Sequence, residues 1–271
     1  MTILTIPKIS IITLSFNQHR YLAENIISTT SQGFSDFEQI IIDPGSTDGS
    51  REFINSISEK YANIRFIFES DDGPADGLNK GFQQAKGNVV ICLNSDDYLR
   101  PGALESIWNA HSKFPTASVI TSHGLVKNEA TNSTKFQFTD QVNIKSFAEN
   151  RCLVFHPCTV YVKAFMDKNQ IKVNTSNKTC WDYEIIKDIL NAGGSFKRFN
   201  TAWAVFRLHS ESISGSGRLN NQYIHDIYKL LDDFRSENFI KVGKTLSIIR
   251  VSWVRVRRKF LSLILGRFYI K

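Results

Sequence analysis

Apolar positions follow two alternating rhythms along the first hundred residues. KISIITLS at 8–15 is an apolar run of strand length, and 19–32 then carries Leu22, Ile26 and Ile27 at helical spacing. FEQIIID at 37–43 reads as a second strand that stops at Asp43. The PGSTDGS that follows has the Ser/Asp/Gly content of a turn feeding a helix N-terminus, which predicts a helix over about 48–60. NIRFIFE at 63–69, a helix over 74–86 and an apolar stretch at 88–93 complete four strand–helix alternations. Such alternation predicts an α/β fold, a mostly parallel sheet flanked by helices. Open sheets of this kind gather ligands at the carboxyl ends of their strands.

Beyond Ala110 the rhythm loosens. Strands are expected near 117–124, 134–139, 157–163 and, in AWAVFRLH, 202–209; helices are expected over 180–192 and 219–236. Neither an internal repeat nor a clean linker precedes about residue 236.

In VVICLNSDDYLRPGAL, 89–104, an apolar strand runs straight into Asp96-Asp97. An Asp pair after a strand often only caps a helix or shapes a turn. Here it shares a strand-end position with Asp43, and clustered acids raise one another's pKa unless a cation offsets them. A hard divalent ion with oxygen ligands, Mg²⁺ or Mn²⁺, meets that need, and its open positions suit a phosphate. The residues therefore point to a metal–diphosphate site on a nucleotide-binding sheet.

Composition narrows the class. At 271 residues and 42% hydrophobic, the chain can fill a large core and is neither disordered nor low-complexity. Its four cysteines have no zinc-ligand spacing and no look of a secreted disulfide framework, so reduced thiols in the cytoplasm are expected. MTILTIPKIS lacks a charged leader and a long apolar stretch, so no signal peptide is expected, and no apolar run reaches the length of a membrane span. The net charge is +7, yet 241–271 alone holds nine Lys or Arg and no acid. The basicity thus belongs to the tail, where Ile248–Leu265 is nearly continuously apolar but broken by Arg255, Arg257, Arg258 and Lys259. A basic amphipathic segment with Trp and Phe suits an anionic membrane surface. A packing helix or a partner-binding face is the alternative, and no nucleic-acid module is present.

ISIITLSFN, IIIDPGSTDGS and DDGPADGLNKGFQQAKGNVVICLNSDDYLRPGAL, in this order and spacing, resemble the family 2 glycosyltransferases of GT-A fold over about residues 8–210. The resemblance implies an inverting transfer of a sugar from a nucleoside-diphosphate donor, with UDP the default, to a hydroxyl of a glycan or lipid-linked acceptor. It implies a donor half over about 1–110, an acceptor half over about 111–236 and a basic C-terminal segment over 237–271. By motif, Asp43 would hydrogen-bond the base, with Asp71, Asp76, Asn79 and Lys80 as donor contacts. The family's Asp-x-Asp falls on Asn94-Ser95-Asp96, where the first acid is Asn, so the division of ribose and metal contacts between Asp96 and Asp97 stays open; both are expected at the metal. CWDYEIIKDIL resembles the segment that supplies the general base. Trp181 stands where Glu is common and Asp182 matches the Asp, with Glu184 as runner-up. A carboxylate is the usual base for such a hydroxyl, although a first-turn acid favoured by the helix dipole is the plainer reading. FRLHSESISGSG resembles the late segment near the diphosphate: His209 would ligate the metal, and Arg207 would pair with phosphate oxygens. His156 and Trp181 would line the acceptor side, unless both are core residues. A peripheral position at the inner face of the cell membrane follows if the acceptor is lipid-linked. The rival classes are a non-catalytic nucleotide-sugar-binding module and a nucleotidyltransferase; for the latter, LSFNQHRYL lacks the glycine-rich basic loop.

Overall fold

A computed structural model describes residues 6–57 and 59–270, leaving out the side chains of 244–250. The start of the MTILTIPKIS stretch and the tail's Ile248 and Ile249 therefore lie outside the described residues. The elements run in order β1 (Ile9–Leu14), α1 (His19–Thr30), β2 (Phe37–Ile42), α2 (Ser50–Ile57), β3 (Ile64–Ile67), α3 (Pro74–Gln84), β4 (Val89–Cys92), β5 (Tyr98–Leu99) and α4 (Ala103–Lys113). They continue as β6 (Val119–Asn128), β7 (Ser133–Gln137), α5 (Ile144–Ala148), β8 (Thr159–Val162), α6 (Lys163–Lys168), α7 (Trp181–Asn191), β9 (Phe196–Leu208), α8 (Ile213–Ser216), α9 (Asn220–Glu237) and α10 (Lys244–Tyr269).

The strands form one sheet in the order β3-β2-β1-β4-β8-β6-β9-β5, with β7 paired to β6. The first four are parallel, as the alternating rhythm predicts, because a helix returns the chain between each of β1 to β4 and the next. The other half is mixed: β8 joins β4 and β6 antiparallel, and β9 joins β6 in parallel across a register irregularity. Strands β1, β2 and β4 are buried throughout or nearly so, which accounts for their continuous rather than alternating hydrophobicity.

The helices cover both faces. Leu22 and Ile26 of α1 pack with Ile41, Ile54 and Ile64, while Ala75 and Leu78 of α3 join Ile12, Ile40 and Ile42 on the other face. α3 lies close because residue 81 is glycine: a Cβ there would stand 2.4 Å from Ile12 Cγ2. Several features were not read from the chain, among them α4 and the first half of β9. α4 follows the Pro101-Gly102 turn and buries Leu104 and Ile107. β9 begins at Phe196, six residues before the predicted strand, because FKRFN carries charge yet pairs with β6.

The basic tail is a 26-residue helix with one face committed to the body. Leu261, Leu265 and Tyr269 pack on Leu125, Phe136 and Phe138. Arg257 and Arg258 both reach Asp140, at 2.7 and 2.6 Å. No helix among the described residues is long and apolar enough to cross a membrane.

Candidate active site

Strand register brings the predicted residues to one edge. Leu14 pairs with Ile42 and Ile42 with Ile67, so the residues that follow them, Ser15, Asp43 and Phe68, lie side by side. Asn94 follows β4 at the same level, since Ile12 pairs with Cys92 and the Ser95 N–H donates to Leu14 O. The loops above are cross-braced. Asn17 N–H donates to Ser46 Oγ, Thr47 N–H to Asn17 Oδ1 and His19 N–H to Asp48 Oδ2. The Asn17 backbone takes the left-handed conformation that lets this corner close.

Asp43 is fully buried. Its Oδ1 accepts from the Gly45 and Ser46 N–H groups and from Arg51 Nε, all within 2.9 Å. Burial opposes ionisation, but the hydrogen bonds from Ser46, Arg51 and Gly45 outweigh it and hold the carboxyl below the usual range. Asp43 is therefore an anion with one spare acceptor, because Oδ2 is buried without a partner. Arg51 completes the wall with its guanidinium 4.9 Å from the Phe68 ring centre.

The two acids after β4 have separate environments. Asp96 Oδ2 meets His209 Nε2 at 3.0 Å. Asp97 is only 1% exposed; its Oδ1 accepts the Arg207 N–H at 2.9 Å and its Oδ2 has no partner. Burial, and after it the neighbouring Asp96 charge, push the Asp97 carboxyl well above the usual range. Asp97 thus joins β4 to β9, whereas Asp96 faces the imidazole. Arg207 departs from its expected role. Its guanidinium is enclosed by Glu24, Glu129 at 3.2 Å and the Asp96 carbonyl at 2.9 Å, and lies between the Tyr21 and Tyr98 rings. Those groups leave it no approach to a diphosphate; it fixes the backbone that carries Asp96. Glu24, Glu129 and Tyr21 were not identified from the sequence, and nothing local marks them, for the partners lie 78 and 183 residues from Arg207.

Along α3, Asp71 accepts the Gly73 N–H, and Asp76 pairs with Lys80 at 3.5 Å. Lys80 also donates to the Ser70 carbonyl. Asn79 has a structural task. Its amide makes two 2.8 Å bonds to the backbone of Val173, one from each end, so the side chain is engaged in holding that loop. It ties the loop before α7 to α3, and Lys178 Nζ reinforces the tie by donating to Asp72 O at 3.1 Å.

That tie sets the first turn of α7 beside the donor edge. Asp182 Oδ1 accepts the Tyr183 N–H at 2.9 Å, and burial raises its pKa to about 6. Its charge is felt by Tyr161 and by Tyr223 of α9, whose hydroxyl burial and then Asp182 lift to about 12. Glu184 is spent on Asn174 and Asn177. Trp181 packs edge-on to His156, with ring centres 4.7 Å apart. His156 is neutral, its pKa pushed down to about 4 by burial, and neither ring nitrogen has a partner; the Tyr161 hydroxyl also has none. Tyr223 was not singled out from the sequence, since only the fold brings α9 against α7.

Asp96 and His209 fit a divalent ion as a carboxylate and an imidazole 3.0 Å apart. No cluster of three or more His, Cys, Asp or Glu suited to a metal exists among the described residues, so such an ion would keep most of its positions for phosphate and water.

The sequence profile of glycosyl transferase family 2 matches residues 10–168. An uncharacterised glycosyltransferase of Nostoc sp. is 39% identical over 114 residues, 42% of this chain and 34% of its own. The GalNAc(5)-diNAcBac-PP-undecaprenol β-1,3-glucosyltransferase of Campylobacter jejuni is 32% identical over 103 residues, 37% of this chain and 33% of its own. The matches span about a third to a half of the length of these and two other curated relatives, from Haemophilus influenzae and Bacillus subtilis. Staphylococcus aureus TarS 1–349 in complex with UDP-GlcNAc superposes with a TM-score of 0.68 at 18% identity, covering 96% of this chain and 74% of TarS. The mannosyltransferase PcManGT of Pyrobaculum calidifontis, in complex with GDP-Man and Mn²⁺, gives 0.63 at 12% identity, covering 93% and 74%. The fold is the GT-A fold.

Proposed function

The chain belongs to glycosyl transferase family 2, and on that premise we propose that it moves a sugar from a nucleoside-diphosphate donor to a hydroxyl of a glycan or lipid-linked acceptor, inverting the anomeric carbon. The observation that carries the reading is a row of buried polar atoms without partners along one sheet edge: Ser15 Oγ, Asp43 Oδ2 and Asn94 Oδ1. Buried polar atoms in folded proteins are normally paired, so a row of unpaired ones marks where a polar ligand sits. Asp43, ionised and with one oxygen spare, suits the N–H of a base; UDP, the nucleotide of the TarS complex, is the first to test.

Asp182 has the properties of a general base. A carboxylate with a pKa of about 6 is ionised at neutral pH yet basic enough to accept a proton, and the Tyr183 N–H fixes its orientation. It takes the proton of the acceptor hydroxyl as that oxygen attacks the anomeric carbon from the face opposite the diphosphate. The carbon–oxygen bond to the diphosphate breaks, and the nucleoside diphosphate leaves with the electron pair. Asp96 and His209 would hold Mn²⁺ or Mg²⁺, which neutralises charge on a departing diphosphate when bound. Arg207 and Asp97 keep the Asp96 backbone in place, and His156 and Trp181, packed edge-on, form an aromatic wall suited to a sugar face. The lipid-linked acceptor of the Campylobacter relative supports work at the inner face of the cell membrane.

The test is a calorimetric titration of UDP with Mn²⁺, followed by a donor screen that detects nucleoside diphosphate release. Micromolar binding that Asp43→Ala weakens about tenfold or more is expected, the range for one lost charged hydrogen bond. No heat with any nucleotide would overturn the reading.

A further inference from the structure

The outer face of α10 is unpartnered. Trp253, Val256, Phe260, Leu263 and Phe268 recur every three to five residues and are 62% to 76% exposed. Exposed Arg255, Lys259 and Arg267 lie among them. The inner face is fully used by β7 and Asp140, so the stripe is not a core face in want of its own domain. Where the stripe begins, a cavity of about 480 Å³ opens between α5 and α10, lined by Lys145, Arg151, Trp253 and Arg257. Its one acid, Asp140, is consumed by Arg257 and Arg258. Lys145 is exposed and makes no ion pair with another described residue. The cavity is therefore electropositive, with one cation uncommitted, and an indole rises on its rim.

We propose that α10 and this cavity form a docking surface for an anionic phospholipid bilayer: the cavity receives a headgroup phosphate, and the Trp253–Phe268 stripe enters the interfacial layer. Charge complementarity selects the occupant, since 241–271 contains nine cations and no acid. A basic helix with aromatic and aliphatic side chains on its free face lies in such an interface, and each basic residue near the surface contributes about 1 kcal/mol, or about fivefold in partitioning. Two faces on one helix also give the body a fixed orientation, because Arg257 and Arg258 lock its rotation to Asp140. This deepens the membrane-side part of the proposed function and rests on it.

The experiment is sedimentation of the whole chain with vesicles of phosphatidylcholine alone or with 30% phosphatidylglycerol, together with quenching of Trp253 by brominated lipid. Partitioning onto the anionic vesicles only is expected. Lys145→Gln should weaken it about fivefold, and the double variant Trp253→Ser/Phe260→Ser at least tenfold. Both alter exposed side chains, so nucleotide binding and donor turnover in solution should stay at wild-type level. Failure of docking is thereby separated from failure of the transferase reading. Equal sedimentation with both vesicles, none with either, or no change in the variants overturns the proposal. So does a concentration-dependent dimer abolished by the double variant without vesicle binding, which would assign the stripe to a second copy of the chain.

Discussion

Replacing Asp182 by Asn should destroy activity and raise stability at the same time. The substitution keeps the shape and the oxygen that accepts the Tyr183 N–H, and removes only the ability to ionise. An unfolded aspartate titrates near 3.9, whereas burial lifts Asp182 in the fold to about 6. The fold thus favours the protonated form. Its stability is highest below about pH 4, falls as pH rises through the interval to about 6, and is level above it. Two pH units at about 1.4 kcal/mol each make the loss roughly 3 kcal/mol. Asn never charges, so at pH 7.5 the variant should be more stable than wild type by up to about 3 kcal/mol, several degrees in Tm for a chain of this size. That advantage should vanish at pH 4. Turnover, followed as nucleoside diphosphate release with acceptor present, should fall by about 10²–10⁴, the range for a lost general base, while UDP affinity stays unchanged. In wild type, kcat/KM should decline about tenfold per pH unit below about 6. A variant that turns over within tenfold of wild type, or that is less stable at pH 7.5, would refute the assignment. A carboxylate that merely supports the helix has no reason to trade stability for rate.

The other predictions concern neighbouring parts of the site. His209→Ala and Asp96→Asn should each remove the metal dependence of UDP binding by calorimetry and leave metal-free binding unchanged; retained dependence would place the ion elsewhere. Asn79→Ala deletes two hydrogen bonds to Val173 and should cost about 1–3 kcal/mol in urea denaturation. It should also raise the acceptor KM, since the loop before α7 is freed. Gly124→Ala would set a Cβ 2.3 Å from Phe155 Cε1 and 2.8 Å from Cys158 Sγ, on either side of His156. A stability loss of about 1–3 kcal/mol with impaired transfer is expected, and wild-type behaviour would show that this wall does not shape the acceptor site.

How far the sequence reveals this site depends on how local each residue's task is. Asp182 was singled out only through the resemblance of its segment to the family, whereas the strand-end positions of Asp43 and Asp96 were legible because each follows an apolar run, and a strand terminus is a short-range feature. The parallel half of the sheet was legible for the same reason. Arg207 was expected at the diphosphate from its place in FRLHSES, yet it is engaged with two acids and the Asp96 carbonyl. Its chemistry is decided by Glu24 on α1 and Glu129 after β6, and no spacing rule connects three such distant places. Asn79 has a task that was equally hidden: it holds a backbone 94 residues on. Asp97 shows the limit most clearly. Beside Asp96 in the chain it looks equivalent, but consecutive residues leaving a strand point in opposite directions, so one carboxylate meets the imidazole and the other is buried against the β9 backbone. The tail gave a composite result, because its amphipathicity is real on both sides. One face packs on β7, and the period of 3.6 residues leaves a second apolar line pointing away from the protein. Local pattern identifies which residues stand at the edge of the sheet; only long-range pairing decides which of them are left with an unpartnered polar atom.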